Sequence, residues 1–166
     1  MKYERILVMG IGNPLMQDEG VGPAVVERLA AEYDFPDGVT VDDSGTMGMA
    51  VLDLFGQYDY MIVVDAVDGT GEEPGTVMAI APEDIAPNTV LHSAHDMRFI
   101  DTLENAALIG WEPDAIVVGV QILEMYPEEL TMELTPPVAA AVPIAVGAVI
   151  DLLNEAGVYP TRKSDQ

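Results

Sequence analysis

Short, almost continuously apolar runs alternate along this chain with segments whose apolar residues recur every three or four positions. Residues 5–10, RILVMG, are of the first kind and predict a strand buried on both faces of a largely parallel sheet. Gly10, Gly12 and Pro14 end it. Val21, Val25, Leu29 and Ala30 are of the second kind and predict a helix over about 19–33, with Asp18 as its cap. Pro36, Asp37 and Gly38 then make a turn into a second strand over 39–43. A loop, SGTMG, leads to a short helix over 49–55 and a third buried strand over 60–64, with Asp65 at its carboxyl end.

The segment 68–75, DGTGEEPG, reads as a turn before a fourth strand over 76–81, and 82–88 as loop. A helix over 94–108 and a fifth strand over 115–121 follow. Thr135 and Pro136 occupy the favoured first positions of a last helix, which Pro143 kinks or whose effective start it marks. Strands alternating with helices predict a three-layer α/β/α sandwich with a mostly parallel, roughly five-stranded sheet, in a single domain over 1–158. Residues 159–166 read as a loose tail. In such folds ligands gather beyond the carboxyl ends of the strands. Glu19, Asp65 and the loop holding His95 all follow strands.

A length of 166 residues suits one domain, and 49% hydrophobic against 6% aromatic content describes a core of Val, Ile, Leu, Ala and Met. Six basic against 29 acidic residues leave a net charge of −23, which repels a phosphate backbone or an anionic bilayer, so no nucleic-acid partner is expected. The absence of cysteine excludes disulfides, thiolate zinc sites and cysteine nucleophiles. The opening MKYERILVMG lacks the basic end and long apolar core of a secretory signal, and the longest uncharged stretch, 135–150, is shorter than the ~20 residues of a spanning helix. A cytoplasmic protein without membrane insertion is the expectation.

Two carboxylates and an imidazole, Glu19, Asp65 and His95, make a triad suited to a hard-to-borderline divalent metal. Each residue also has an ordinary role. An acid in a first helical turn is stabilised by the helix dipole with no ligand. A carboxylate closing the run MIVV is partly desolvated and needs a partner, which a turn's backbone amides can supply. His95 opens a helical pattern that continues through Met97, Phe99, Ile100 and Leu103, whereas His92 in the approach loop reads as a surface or core residue.

Gly10 and Gly12 invite a dinucleotide fingerprint, but Leu15 holds its third glycine position, and Asp18 and Glu19 would oppose a pyrophosphate at the helix start. No nucleotide is expected. Ser44 and Ser93 lack a nucleophile elbow, and no HExxH helix is present. The pairs Asp42/Asp43 and Glu128/Glu129 read as a strand end and a solvated loop.

The run GIGNPLMQDEGVG (10–22), the loop DSGTMG (43–48), the strand end VVDA (63–66), the helix pattern HDMRFIDTL (95–103) and the strand VVGVQ (117–121) resemble those of hydrogenase maturation endopeptidases. The resemblance spans residues 6 to about 153. It implies an enzyme that trims the C-terminal extension from a nickel-iron hydrogenase large-subunit precursor after nickel insertion. It further implies that Glu19, Asp65 and His95 are the metal-binding residues, that Asp43 lies in the loop associated with cleavage, and that the nickel arrives already held by the precursor. Ser44 departs from a common glycine and Ile122 from a common proline. The alternative is a non-catalytic nickel-sensing or hydrogenase-assembly module using the same triad.

Overall fold

The structure, a computed structural model, describes residues 2–45, 52–84, 90–91, 99–124 and 126–164. Four strands lie parallel at its centre: β1 (Ile6–Ile11), β3 (Val39–Gly45), β4 (Tyr60–Asp68) and β7 (Asp114–Gln121). With the antiparallel edge strand β5 (Val77–Ile80) the sheet order is β3-β1-β4-β7-β5. A short β6 (Val90–Leu91) pairs antiparallel with the last residues of β4. This is the mostly parallel, mixed five-strand sheet that the apolar runs predict, with β6 added.

Strand parity sorts the core into two layers. Ile6, Val8, Ile62, Val64, Ala66, Val118 and Val120 face the helices α1 (Val21–Glu32) and α4 (Pro136–Glu155). Leu7, Met9, Met61, Val63, Val67 and Val117 face α2 (Leu52–Phe55) and α3 (Phe99–Leu108) through Phe55 and Ala106. Both faces of the sheet are covered, so its central strands need no polar side, which is why they read as apolar runs. From β1 the chain passes through α1 to β3 on one side, then through α2 to β4 on the other. The order therefore reverses between β1 and β4, and the carboxyl ends of that pair form the crevice of the fold.

Several boundaries differ from expectation for physical reasons. β4 does not stop at Val64, because Asp65, Ala66 and Val67 remain paired with Gly119, Val120 and Gln121 of β7; Asp65 is thus inside a strand. β3 continues to Gly45 across a bulge, with Gly10 opposite Asp43 and Ile11 opposite Gly45. α1 begins at Val21 after a separate 3-10 turn, Gln17–Gly20, and no side chain caps it. Pro143 neither ends nor starts α4; it sits on the exposed side, so the carbonyl it leaves unbonded can meet water.

By length and composition α4 would also suit a bilayer. Here its apolar stripe, including Val138, Ala141, Ala145, Val149 and Leu153, packs into the core beside α1. Residues 161–163, within the stretch expected as a loose tail, are docked. Thr161–Arg162 form β8, which pairs antiparallel with β2 (Tyr33–Asp34), and the Lys163 ammonium donates to the Ala30 carbonyl at 2.7 Å.

Candidate functional site

β1 ends at Ile11, and the chain has to fold back at once to begin α1. Gly12 makes that turn at a φ of 138°, and a Cβ there would stand 1.8 Å from the Glu19 carbonyl oxygen, so only glycine fits. Gly22 serves a close approach instead. Its missing Cβ would lie 2.4 Å from the Ile11 carbonyl oxygen and 2.5 Å from that of Val64. The first turn of α1 consequently rests on the backbones of β1 and β4, and the 3-10 turn ahead of it holds Glu19 at the crevice.

Glu19 is buried. Burial raises its pKa, while the Asn13 backbone N–H bonded to the carboxylate works the other way. The 3-10 turn replaces the helical first turn in which its ordinary role had been expected.

Asp65 is only 1% exposed, and among the described residues neither of its carboxylate oxygens has a hydrogen-bond partner. The adjacent Ala66 N–H favours the charged form and works against the burial, without reaching hydrogen-bond geometry. Burial drives the Asp65 pKa well above the usual carboxylate range, and the negative charge of Glu19 raises it further. The turn-capping role expected for this residue is absent, because Asp65 lies within β4 and not at its end. A buried carboxylate with two orphaned oxygens beside a second buried carboxylate is an unfavourable arrangement by itself. A divalent cation would relieve both the missing partners and the repulsion, and an oxygen donor pair of this kind suits nickel or another borderline ion once a nitrogen ligand joins it.

The third expected ligand, His95, lies outside the described residues, as does His92. Among the described residues no group of three His, Asp or Glu side chains converges. The elements that flank the histidines are described. β6 pairs Leu91 with Val67, two residues beyond Asp65 on β4, and α3 packs on the sheet face to which Met61, Val63 and Val67 belong. By strand parity Asp65 belongs to that face too. Asp43 has its backbone opposite Gly10 at the carboxyl end of β3, next to the crevice strand β1. Residues 46–48 of its loop lie outside the described residues.

Two neighbours of the site have roles that differ from the sequence reading or escaped it. Asp18, expected as a helix cap, is fully buried and does not cap α1. Its carboxylate accepts from the backbone N–H groups of Leu123 and Glu124, both at 3.0 Å, and from the N–H and hydroxyl of Thr135 at 2.8 and 2.9 Å. Thr135 therefore opens α4 without capping it. The signal was the acid beside Glu19 with a threonine ahead of a proline pair, but pattern alone does not join residues so far apart. Gln121 is the second. Its side-chain carbonyl accepts from the N–H and hydroxyl of Thr70, and its amide donates to Asp68 at 3.0 Å and to the Ile122 carbonyl at 2.8 Å, fixing the 68–75 turn at the rim.

A cavity of about 380 Å³ opens at the other end of the strands between Arg5, Phe55, Asp59 and Trp111. Arg5 there is already paired with Asp59 at 2.9 Å. The unsatisfied chemistry is at the crevice.

Residues 23–152 match the family model described as hydrogenase maturation protease. The chain is 37% identical over 158 residues to the hydrogenase 2 maturation protease of Escherichia coli (strain K12), covering 93% of each chain. It is 34% identical over 164 residues to the hydrogenase expression/formation protein HupD of Rhizobium leguminosarum bv. viciae, covering 97% of this chain and 80% of that one. Among solved structures it is similar to the hydrogenase maturating endopeptidase HybD from E. coli, with a TM-score of 0.78 and 34% identity over 98% of this chain and 99% of the other.

Proposed function

The chain belongs to the hydrogenase maturation protease family and is an endopeptidase; on that premise we propose that it removes the C-terminal extension of a nickel-iron hydrogenase large-subunit precursor after nickel insertion, engaging that nickel through Glu19, Asp65 and His95. The observation that carries this reading is Asp65, buried, with both carboxylate oxygens unpartnered among the described residues, and set against the buried Glu19. A protein keeps such a pair where an outside cation completes it. In this reading the cation is part of the substrate, so the site stays incomplete until a nickel-loaded precursor arrives.

What this chain contributes is placement. Glu19 comes from the turn after β1 and Asp65 from within β4, so both are carried on a backbone that packing makes rigid. Held by these side chains, the metal would orient the precursor so that its scissile peptide lies toward the carboxyl end of β3, where Asp43 stands. Hydrolysis of that peptide needs a water to attack the carbonyl carbon and a base to accept its proton. Asp43 is assigned the base role, the neighbouring positive charge would stabilise the oxyanion that forms, and the proton held by Asp43 would pass to the departing amine as the C–N bond breaks. Metal recognition would then make cleavage report completed nickel insertion.

The test is the intact mass of the nickel-loaded precursor before and after incubation, with a nickel-free precursor beside it. Loss of a C-terminal peptide from the loaded form alone is expected. Equal cleavage of both forms would remove the nickel-recognition step, and cleavage of neither would remove the assigned substrate.

A further inference from the structure

The connection between β7 and α4 spans residues 122–135; its described residues, 122–124 and 126–135, belong to no helix or strand, and at about 14 residues it falls in the length class where structureless loops are usually functional. Its two ends are anchored. Ile122 is buried and Leu134 packs against the same core layer. The Asp18 carboxylate holds the N–H groups of Leu123, Glu124 and Thr135. Midway, Thr131 donates its N–H to the Leu15 carbonyl and accepts from the Gln17 N–H, both at 2.9 Å, joining the connection to the turn that carries Glu19.

A segment held this firmly has little need to show apolar side chains to water, yet Leu123, Tyr126, Leu130 and Met132 are between 57% and 73% exposed. Leu15, on the turn bonded to Thr131, is exposed as well. Glu124, Glu128, Glu129 and Glu133 are interleaved with them and are exposed, and no lysine or arginine occurs anywhere from 99 to 161. Apolar groups set among carboxylates that form no ion pair among the described residues, beside the crevice, are complementary to one kind of occupant: a protein segment that alternates apolar with basic side chains.

We propose that Leu15 and the connection's described residues, 123–124 and 126–133, form a rigid docking rim for an apolar and basic segment of the protein substrate. This rests on the proposed function for the identity of that substrate. The apolar side chains would supply the affinity, and the carboxylates would speed encounter and set its polarity. Because the rim and Glu19 hang from neighbouring residues through Asp18, a segment seated on the rim is delivered to the crevice at a fixed offset.

The experiment is a titration of the nickel-loaded large-subunit precursor, labelled for fluorescence, that reads Kd, KM and kcat together. The Tyr126→Ser/Leu130→Ser/Met132→Ser variant is expected to raise Kd and KM about tenfold or more with kcat within about twofold. A control, Leu108→Ser/Ile109→Ser, changes exposed apolar residues at the far end of α3 and is expected to leave all three constants as in the wild type. Wild-type KM is expected to rise with salt, and Glu128→Gln/Glu129→Gln/Glu133→Gln to flatten that rise. Equal Kd and KM for the triple serine variant and the wild type would overturn the rim, and a salt-independent wild-type KM would overturn its basic occupant. If the precursor binds but is never cut, the proteolytic assignment fails while the Kd comparison still decides the rim. If the precursor does not bind at all, both fail.

Discussion

Asp18 and Thr135 stand 117 positions apart in sequence, yet the Asp18 carboxylate accepts both the backbone N–H and the hydroxyl of Thr135, the first at 2.8 Å. With two more N–H bonds from Leu123 and Glu124, one buried carboxylate fastens the turn after β1 to the start of α4. Asp18→Ala would leave the two Thr135 donors buried without a partner and the Leu123 and Glu124 N–H groups partly so, which costs about 1–3 kcal/mol for each group that water cannot reach. The expected result is a loss of about 3 kcal/mol or more in urea unfolding, together with increased hydrogen exchange at Leu123, Glu124 and Thr135. Thr135→Val, which removes only the hydroxyl, should lose about 1–2 kcal/mol.

Gly12 allows a sharper test of how the crevice is built. A methyl group at this position would meet the Glu19 carbonyl oxygen at 1.8 Å, and its φ of 138° is unfavourable for any L side chain. Gly12→Ala cannot be absorbed by a flexible side chain, because the obstacle is backbone. It should therefore either lower stability by about 2–4 kcal/mol or push the 3-10 turn outward and take Glu19 with it. Thermal unfolding and processing activity measured on the same preparation are both expected to fall.

Much of this architecture was legible in the chain because the two covered faces of the sheet leave its strands continuously apolar, as in ILVMGI and YMIVV, and the turns are marked by glycine and proline. The acids at 19 and 65 were legible too, since a charge next to such a run is conspicuous. What escaped depends on partners distant in sequence. The extra residues of β4 past Val64 exist because β7 continues beside it, and the short docking strand at Thr161–Arg162 exists because β2 offers a free edge. Asp18 looked like a helix cap because a local pattern contains no trace of Thr135. Strand bounds and buried hydrogen bonds are decided by tertiary neighbours, whereas apolar periodicity is decided by the residue and its own face.

If Glu19 and Asp65 form part of a cation site, a divalent ion should stabilise the folded chain by mass action even before a precursor is present. Free nickel is expected to raise the Tm of the wild type in a concentration-dependent way. The shift should shrink strongly in Glu19→Gln and vanish in Asp65→Asn, where the two orphaned oxygens are no longer both anionic acceptors. Magnesium, which holds its water shell tightly, serves as the comparison and is expected to give little shift. Equal nickel shifts in the wild type and both variants would remove these two residues from the site.

Asp65→Asn should also make the protein more stable while ending its activity, and pH supplies the sign. Burial and the charge of Glu19 raise the folded-state pKa of Asp65 above its ordinary value of 3.8. An acid whose folded pKa is raised costs nothing while it is protonated in both states, at pH below that ordinary value. As pH rises past it the unfolded chain ionises first, and stability falls until the folded-state pKa is passed. The asparagine variant cannot ionise and escapes this loss. Its gain over the wild type should be absent near pH 3 and reach on the order of 1–3 kcal/mol at neutral pH in urea unfolding. A variant that is less stable than the wild type at neutral pH, or whose gain does not change with pH, would mean that Asp65 has a partner in the folded protein and is not held ready for a cation.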